Sequence, residues 1–155
     1  MTFDQAAVTA LYVAAVDKAR KLSVFARVLD SEPKSTPGTG LSVAFAGLEI
    51  QPVRSSGLAA TSISVVLTAR IYMGRDHKPE KDIDPAVLAA ACALIAAYSD
   101  DFTAGGTVRE IDLLGQYGTP LGCRIGYLEQ EGKPLRVGEL TIPFIVNDAF
   151  TQEGS

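Results

Sequence analysis

Tryptophan is absent from these 155 residues, histidine occurs once and cysteine twice. Each shortage removes a class of chemistry. With His77 as the only histidine, neither a histidine pair for a metal nor a Ser/His/Asp set with a choice of bases can be assembled. His77 stands beside Asp76 in a charged stretch and reads as a solvated loop residue rather than a base with its orienter. Aromatic residues make up only 7% of the chain, too few for a platform that stacks bases or sugars. Lys and Arg number 14 and are scattered among 18 acids, for a net charge of -4. Phosphate recognition needs clustered cations, so no specific nucleic-acid contact is expected.

Long hydrophobic runs are also missing. The longest, Pro85 to Tyr98, is about 14 residues, short of the roughly 20 that a bilayer helix needs. The chain opens on an acid, Asp4, without the basic start and apolar core of a targeting signal. No membrane contact is expected, and the site of synthesis is read as a cytoplasm. Cys92 falls in an alanine-rich run and Cys123 in an alternating one. Both read as small buried hydrophobes, and nothing in the sequence requires a disulfide.

Glycine-rich stretches occur without the partners that would make them functional. Thr36-Pro-Gly-Thr-Gly40 lacks the Lys-Ser/Thr ending of a phosphate loop, and Gly105-Gly106 precedes a strand pattern rather than a helix. Ser55-Ser56-Gly57 is no nucleophile elbow. The acid pairs Asp82/Asp84 and Asp100/Asp101 bracket a helical pattern, and the first reads as capping. No active site is found. Catalysis is not expected, nor is any cofactor or metal.

What is present is a core. Hydrophobic residues are 47% of the chain, enough to fold one domain of this length over residues 1–155. Residues 3–21 predict an amphipathic helix. Val8, Leu11, Tyr12, Ala15, Ala19 and Leu22 recur at helical spacing, Thr2 and Gln5 have capping-box spacing, and Lys18, Arg20 and Lys21 suit the C-terminal end. A short strand is expected within Val24 to Leu29. The turn-rich stretch 31–40 and the charged stretch 74–82 are expected as exposed loops, and 149–155 as a flexible tail.

Leu41, Val43 and Phe45 alternate, but Leu48 and Ile50 continue on the other parity. A phase slip beside Gly47 predicts a β-bulge. Residues 61–72 predict a strand with Ile63, Val65, Leu67, Ala69 and Ile71 in the core and a wetter opposite face. Asp84-Pro85 opens a second helix to about Tyr98, containing seven alanines and apolar nearly all round, so it needs cover on more than one side. A strand is expected to open at Gly105-Gly106 with Val108 and to take in Ile111 and Leu113, and another over Leu121, Cys123, Ile125 and Tyr127. A hairpin at 131–134 leads into a last strand bearing Leu140, Ile142, Phe144 and Val146. Pro143 places that strand at an edge or a bulge. The fold class is α+β, with both helices packed on a mixed, largely antiparallel sheet.

Three stretches carry a resemblance: Ser31-Glu-Pro-Lys-Ser-Thr-Pro-Gly-Thr-Gly-Leu41; Asp82-Ile-Asp-Pro-Ala-Val-Leu-Ala-Ala89 running on to Ala97-Tyr-Ser-Asp-Asp-Phe-Thr-Ala-Gly-Gly-Thr-Val-Arg-Glu-Ile-Asp-Leu-Leu114; and Gly126-Tyr-Leu-Glu-Gln-Glu-Gly-Lys133 through Leu140-Thr-Ile-Pro-Phe-Ile-Val-Asn-Asp148. Together they resemble the tail terminator proteins of long-tailed, siphovirus-type phages of actinobacteria, over most of the chain. The resemblance implies a structural virion protein at the head-proximal end of the tail. It implies a ring, usually a homohexamer, that caps the tail tube, ends its polymerisation and presents a head-joining surface. The implied partners are further copies of the chain, the major tail tube protein and the head–tail connector proteins. Another head–tail closure or tail-tube protein is the alternative. Such a family brings no catalytic residues. The residues themselves nominate Leu113, Leu114 and Tyr117 as apolar contact surface, and His77 and Lys78 as reaching residues on the charged loop.

Overall fold

The computed structural model describes residues 4–29, 40–53, 60–73, 83–100, 110–130 and 133–151. Helix α1 spans Gln5–Lys21, and three strands follow: β1 Arg27–Leu29, β2 Leu41–Pro52 and β3 Ala60–Met73. Helix α2 spans Ile83–Asp100, and β4 Glu110–Ile111, β5 Gly122–Gln130 and β6 Lys133–Thr151 follow it. The class is α+β, as the sequence predicts. The expected loops at 31–40 and 74–82 fall outside the described residues apart from Gly40, as does the strand start at Gly105 to Val108. β6 continues to Thr151, so the first part of the expected tail, 149–151, is strand.

Helix α1 begins at a different cap from the expected Thr2, which lies outside the described residues. The Asp4 carboxylate accepts the N–H of Ala7 at 3.0 Å, filling the N-cap role that short acidic side chains serve well. The buried stripe is Leu11, Ala15, Val16 and Ala19. Lys18, Arg20 and Lys21 occupy the last turn as expected, opposite in sign to the C-terminal end of the helix dipole. Ser23, at φ 56, turns the chain out of the helix toward β1.

The sheet runs β1-β2-β3-β6-β4, with β5 also paired to β6. All pairings are antiparallel except β1 with β2. The predicted bulge is present, with the β2–β3 register shifting between Ala46 and Leu48. Gly47 takes φ +77 there, in the left-handed region that glycine adopts without a Cβ penalty. The slip returns Leu48 to the side of Val65 and Leu67, with which it lines one crevice beneath α1.

One core cluster joins α1, α2 and a single face of the sheet. It holds Val43 and Phe45 of β2, the five predicted residues of β3, and Leu140, Ile142, Phe144 and Val146 of β6. Gly138 lets α2 approach, since a Cβ there would lie 3.1 Å from the Val87 Cγ1. Two tyrosine hydroxyls lock the layers. Tyr12 donates to the Phe45 carbonyl, and Tyr98, buried between the helices, donates to the Ala15 carbonyl at 2.7 Å.

Three expectations need correction. β6 is not an edge strand, because β3 lies along one side and β5 and β4 lie along the other. The Pro143 carbonyl accepts from the Asp112 N–H at 2.9 Å. A strand residue points its N and its C=O to the same side, so the missing N–H faces away from β3. It falls between the end of β5 at Thr141 and the start of β4 pairing at Phe144. The proline therefore costs the β3 ladder no bond. The second face of β3 is wet only at Thr68 and Arg70; Ser62, Ser64 and Val66 are buried, so the dry part of this face lies toward the start of the strand. Helix α2 extends further than Pro85 to Tyr98 at both ends and runs through Ser99 and Asp100.

Burial raises the Tyr98 phenol pKa above its ordinary value near 10. In the unfolded chain this phenol ionises near pH ~10, whereas the folded chain holds the proton to higher pH. The stabilisation is thus complete below pH ~10 and is lost as pH rises beyond it. Tyr98→Phe should cost about 1 kcal/mol at neutral pH, a fall of about 2–4 °C in Tm. Thermal melts from pH 7 to 11 should show the wild type losing more stability above pH ~10 than Tyr98→Phe does. Parallel curves would contradict the buried neutral phenol.

Candidate subunit interface

The segment between β4 and β5 is built around one carboxylate. Asp112 is 4% exposed and follows directly on β4. Its Oδ1 accepts the Gln116 N–H at 2.8 Å and its Oδ2 the Tyr117 N–H at 2.9 Å. Its backbone is tied as well, donating to the Pro143 carbonyl at 2.9 Å and accepting from the Leu121 N–H at 3.1 Å. Two side-chain and two backbone bonds thus pin the loop at its root, its middle and its exit.

The rest of the loop follows from that anchor. Gly118 donates to the Gly115 carbonyl at 3.0 Å. Gly115 takes φ +73, and a Cβ there would lie 3.0 Å from the Pro120 ring, so glycine meets both the turn and the close approach. The two neighbouring leucines divide. Leu113 is half-buried and packs on the core, whereas Leu114 is 93% exposed. Tyr117 is half-buried. Three of the five nominated residues, Leu113, Leu114 and Tyr117, are thus brought together on one tied loop. His77 and Lys78 lie outside the described residues. Asp112 was missed by the sequence reading, although an acid ahead of Gly115 and Gly118 is turn chemistry in which Asp holds its own backbone.

Helix α2 supplies a second apolar surface. Val87, Ala90, Ala91, Leu94 and Tyr98 are buried, while Leu88, Ala89, Cys92 and Ala96 form an exposed row on the other side. Cys92 is therefore exposed and Cys123 half-buried, where both were expected in the core. A helix apolar on every side gives no internal sign of which face meets the sheet, and Cys92 shares the Leu88–Ala96 face by its i, i+4 spacing. The Cys123 thiol pKa is pushed up by burial, then by the neighbouring Cys92 and Glu139, which disfavours a reactive thiolate.

The described residues contain no group of three His, Cys, Asp or Glu side chains placed to hold a metal, and no helix among them is long and apolar enough to cross a membrane. The crevice under α1, lined by Val8, Tyr12, Leu48 and Phe144 among others, offers one hydroxyl, and Tyr12 donates it to Phe45. What the described surface presents is apolar contact area held in place.

Asp112→Ala should remove two side-chain bonds to backbone N–H groups and cost about 2–3 kcal/mol, lowering Tm by about 4–12 °C. Hydrogen exchange should show the Gln116 and Tyr117 amides losing protection before the strand amides do. Unchanged protection at those two amides would mean that the carboxylate does not hold the loop.

No family model matches the chain, and no curated protein sequence does. Among solved structures, it is similar to the sheath/tube terminator of PVC, an extracellular contractile injection system, in its extended state, with 12% identity and a TM-score of 0.44. That alignment covers 100% of this chain and 60% of the other, so the chain spans three fifths of the protein it is compared with.

Proposed function

We propose that this chain is a tail terminator, a structural subunit whose ring caps a phage tail tube, ends its polymerisation and presents the surface that the head joins. The observation that carries the reading is Leu114, 93% exposed on a loop fixed from within by the buried Asp112 carboxylate. An isolated exposed leucine means little. One on a pre-ordered loop is different, because its entropy is already spent before any partner arrives. A lone monomer gains nothing from holding an apolar side chain rigidly in water.

Two further features support the reading. The exposed apolar row of α2 and the loop of Leu114 are different surfaces, and a ring requires two different complementary patches on each subunit. The resemblance of residues 31–41, 82–114 and 126–148 to actinophage tail terminators supplies the identity of the assembly. On this reading the partners are copies of the chain in a homohexamer, the major tail tube protein and the head–tail connector proteins. The chain acts in the virion, at the head-proximal end of the tail, after assembly in the host cytoplasm. It performs no catalysis.

Leu114→Asp should leave Tm within about 2 °C of the wild type, since a surface change away from any partner shifts stability by about 0.5 kcal/mol or less. It should nevertheless abolish closed rings in negative-stain images and reduce binding to purified tail tubes at least about tenfold, as a well-packed apolar anchor does when replaced by a charge. Rings and tube binding that survive Leu114→Asp would sink the role given to this loop. Open-ended tubes built by the wild type alone would favour a tube protein.

A further inference from the structure

Among the described residues the sheet has two free flanks, and they differ. β2 meets β1 only at Ser42 to Ala44, so among the described residues its stretch Leu48–Pro52 has a strand on one side alone, that of β3. Among the described residues, β5 pairs with β6 alone. Each free flank exposes backbone donors and acceptors able to take another strand.

The outward-pointing groups can be assigned. The Val53 N–H donates to the Ser62 carbonyl, so Gln51 and Glu49, two and four residues earlier, also face β3. Leu48 and Ile50 then face outward. On β6, Pro143 faces β4, and the register is unbroken from Val146 to Val137. Thr141, Glu139 and Val137 therefore face β5. Their partners Gly122, Arg124 and Gly126 face inward, and Cys123, Ile125 and Tyr127 face outward.

The side chains match across the two flanks. Leu48 and Ile50, 45% and 46% exposed, lie on the helix side of the sheet, as do Cys123, Ile125 and Tyr127. On the opposite side, β2 carries Glu49 and β5 carries Arg124, both exposed. Arg124 ends a cross-strand row of alternating sign. Arg70 pairs with Glu139 at 3.2 Å, and Glu139 stands opposite Arg124. The next strand would continue that row with an acid, and Glu49 is one. The positions of Gly122 and Gly126 have open space above them, so β5 is unobstructed on that side.

Strand direction agrees. Three successive antiparallel pairings, β2–β3, β3–β6 and β6–β5, leave β2 and β5 running in opposite directions. A copy repeated by rotation about an axis along the strands therefore sets its β2 antiparallel to the first copy's β5. Glu49 opposite Arg124 then places Leu48 against Ile125 and Ile50 against Cys123.

We infer that two copies of this chain join head to tail by antiparallel pairing of the β2 edge at Leu48–Ile50 with the β5 edge at Cys123–Ile125, Glu49 facing Arg124. The inference deepens the ring reading above and rests on it for the number of copies, but not for the contact. Pairing of unlike edges is heterologous, and a heterologous contact repeats into a ring or a filament.

The test uses the full chain in light scattering across a concentration series, with Glu49→Arg, Arg124→Glu, their equimolar mixture and Ile50→Pro. The wild type should associate as concentration rises. Glu49→Arg and Arg124→Glu should each weaken association at least about fivefold, because opposed charges across strands become like charges. The mixture should recover wild-type association, since alternating copies restore an opposite pair at every contact. Ile50→Pro deletes an outward donor without touching the β3 ladder, so it should keep the fold by circular dichroism and lose assembly. Three results would overturn the inference. Association unchanged in every variant would place the contact elsewhere and leave the ring reading standing. Glu49→Arg binding the wild type more tightly than the wild type binds itself would indicate like edges pairing. A wild type that stays monomeric throughout would deny edge pairing in the free chain, while binding to tail tubes tests the terminator role separately.

Discussion

Because β6 pairs with β3 along one side and with β5 and then β4 along the other, the position of every other element follows from this strand. Its face toward the helices carries Leu140, Ile142, Phe144 and Val146, all buried, and both helices close over that surface. Each aliphatic side chain so buried stabilises the fold by about 1.5–3 kcal/mol. Gly138 interrupts the row where Val87 comes closest, so the absence of one side chain sets how near α2 can lie. The same strand accepts the Asp112 N–H through Pro143, and thereby roots the loop that exposes Leu114. The core and the exposed loop share one scaffold strand.

The parts legible in the sequence were those governed by period. Alternation in 61–72 and 140–146 identified the core-facing residues of β3 and β6, and the slip after Phe45 located the Gly47 bulge, because a strand must keep one face apolar. The helical spacing of α1 did the same, with Val16 the one buried residue it omitted. Misreadings came where local chemistry has two outcomes. Proline excludes one donor, which is harmless at an edge and equally harmless at a gap between two neighbouring strands; only the tertiary arrangement separates those cases. Alanine and cysteine are at home on either side of a helix, so the exposed row of Leu88, Cys92 and Ala96 carried no mark. Leu114 was nominated from its residue type. The feature that makes it more than an exposed leucine is a carboxylate two residues earlier bonded to N–H groups four and five residues after it. That local turn chemistry is docked on the sheet by the Asp112 N–H bond to the Pro143 carbonyl, which sequence spacing does not reveal.

The most exposed apolar residues are not the ones that hold the fold. Leu114, Leu88 and Ile50 stand outside the core cluster, while Leu113, Val87 and the residues of β3 stand within it or pack against it. Neighbours in sequence thus serve opposite ends, Leu113 facing inward and Leu114 outward. Such separation lets a surface change without a stability cost, and it lets a loss of assembly be told from a loss of folding. Where core and interface are the same residues, the two cannot be distinguished by substitution.

An open sheet has two ends, and unless it is symmetric those ends differ. Here one end is a strand carrying an acid between two aliphatic residues, and the other a strand carrying a base among apolar ones. Free edges of this kind are commonly blunted by lysine, proline or a bulge. β2 does place Pro52 at an outward position and Gly47 at a bulge, but both flank the stretch Leu48–Ile50 and leave it open. β5 has neither device between Gly122 and Tyr127. An unprotected edge is a liability to a monomer that must avoid its own copies. For a subunit whose place is beside its own copy, the same edge provides a directional contact, and the charge at its centre excludes the wrong pairing, since two β2 edges would bring Glu49 against Glu49.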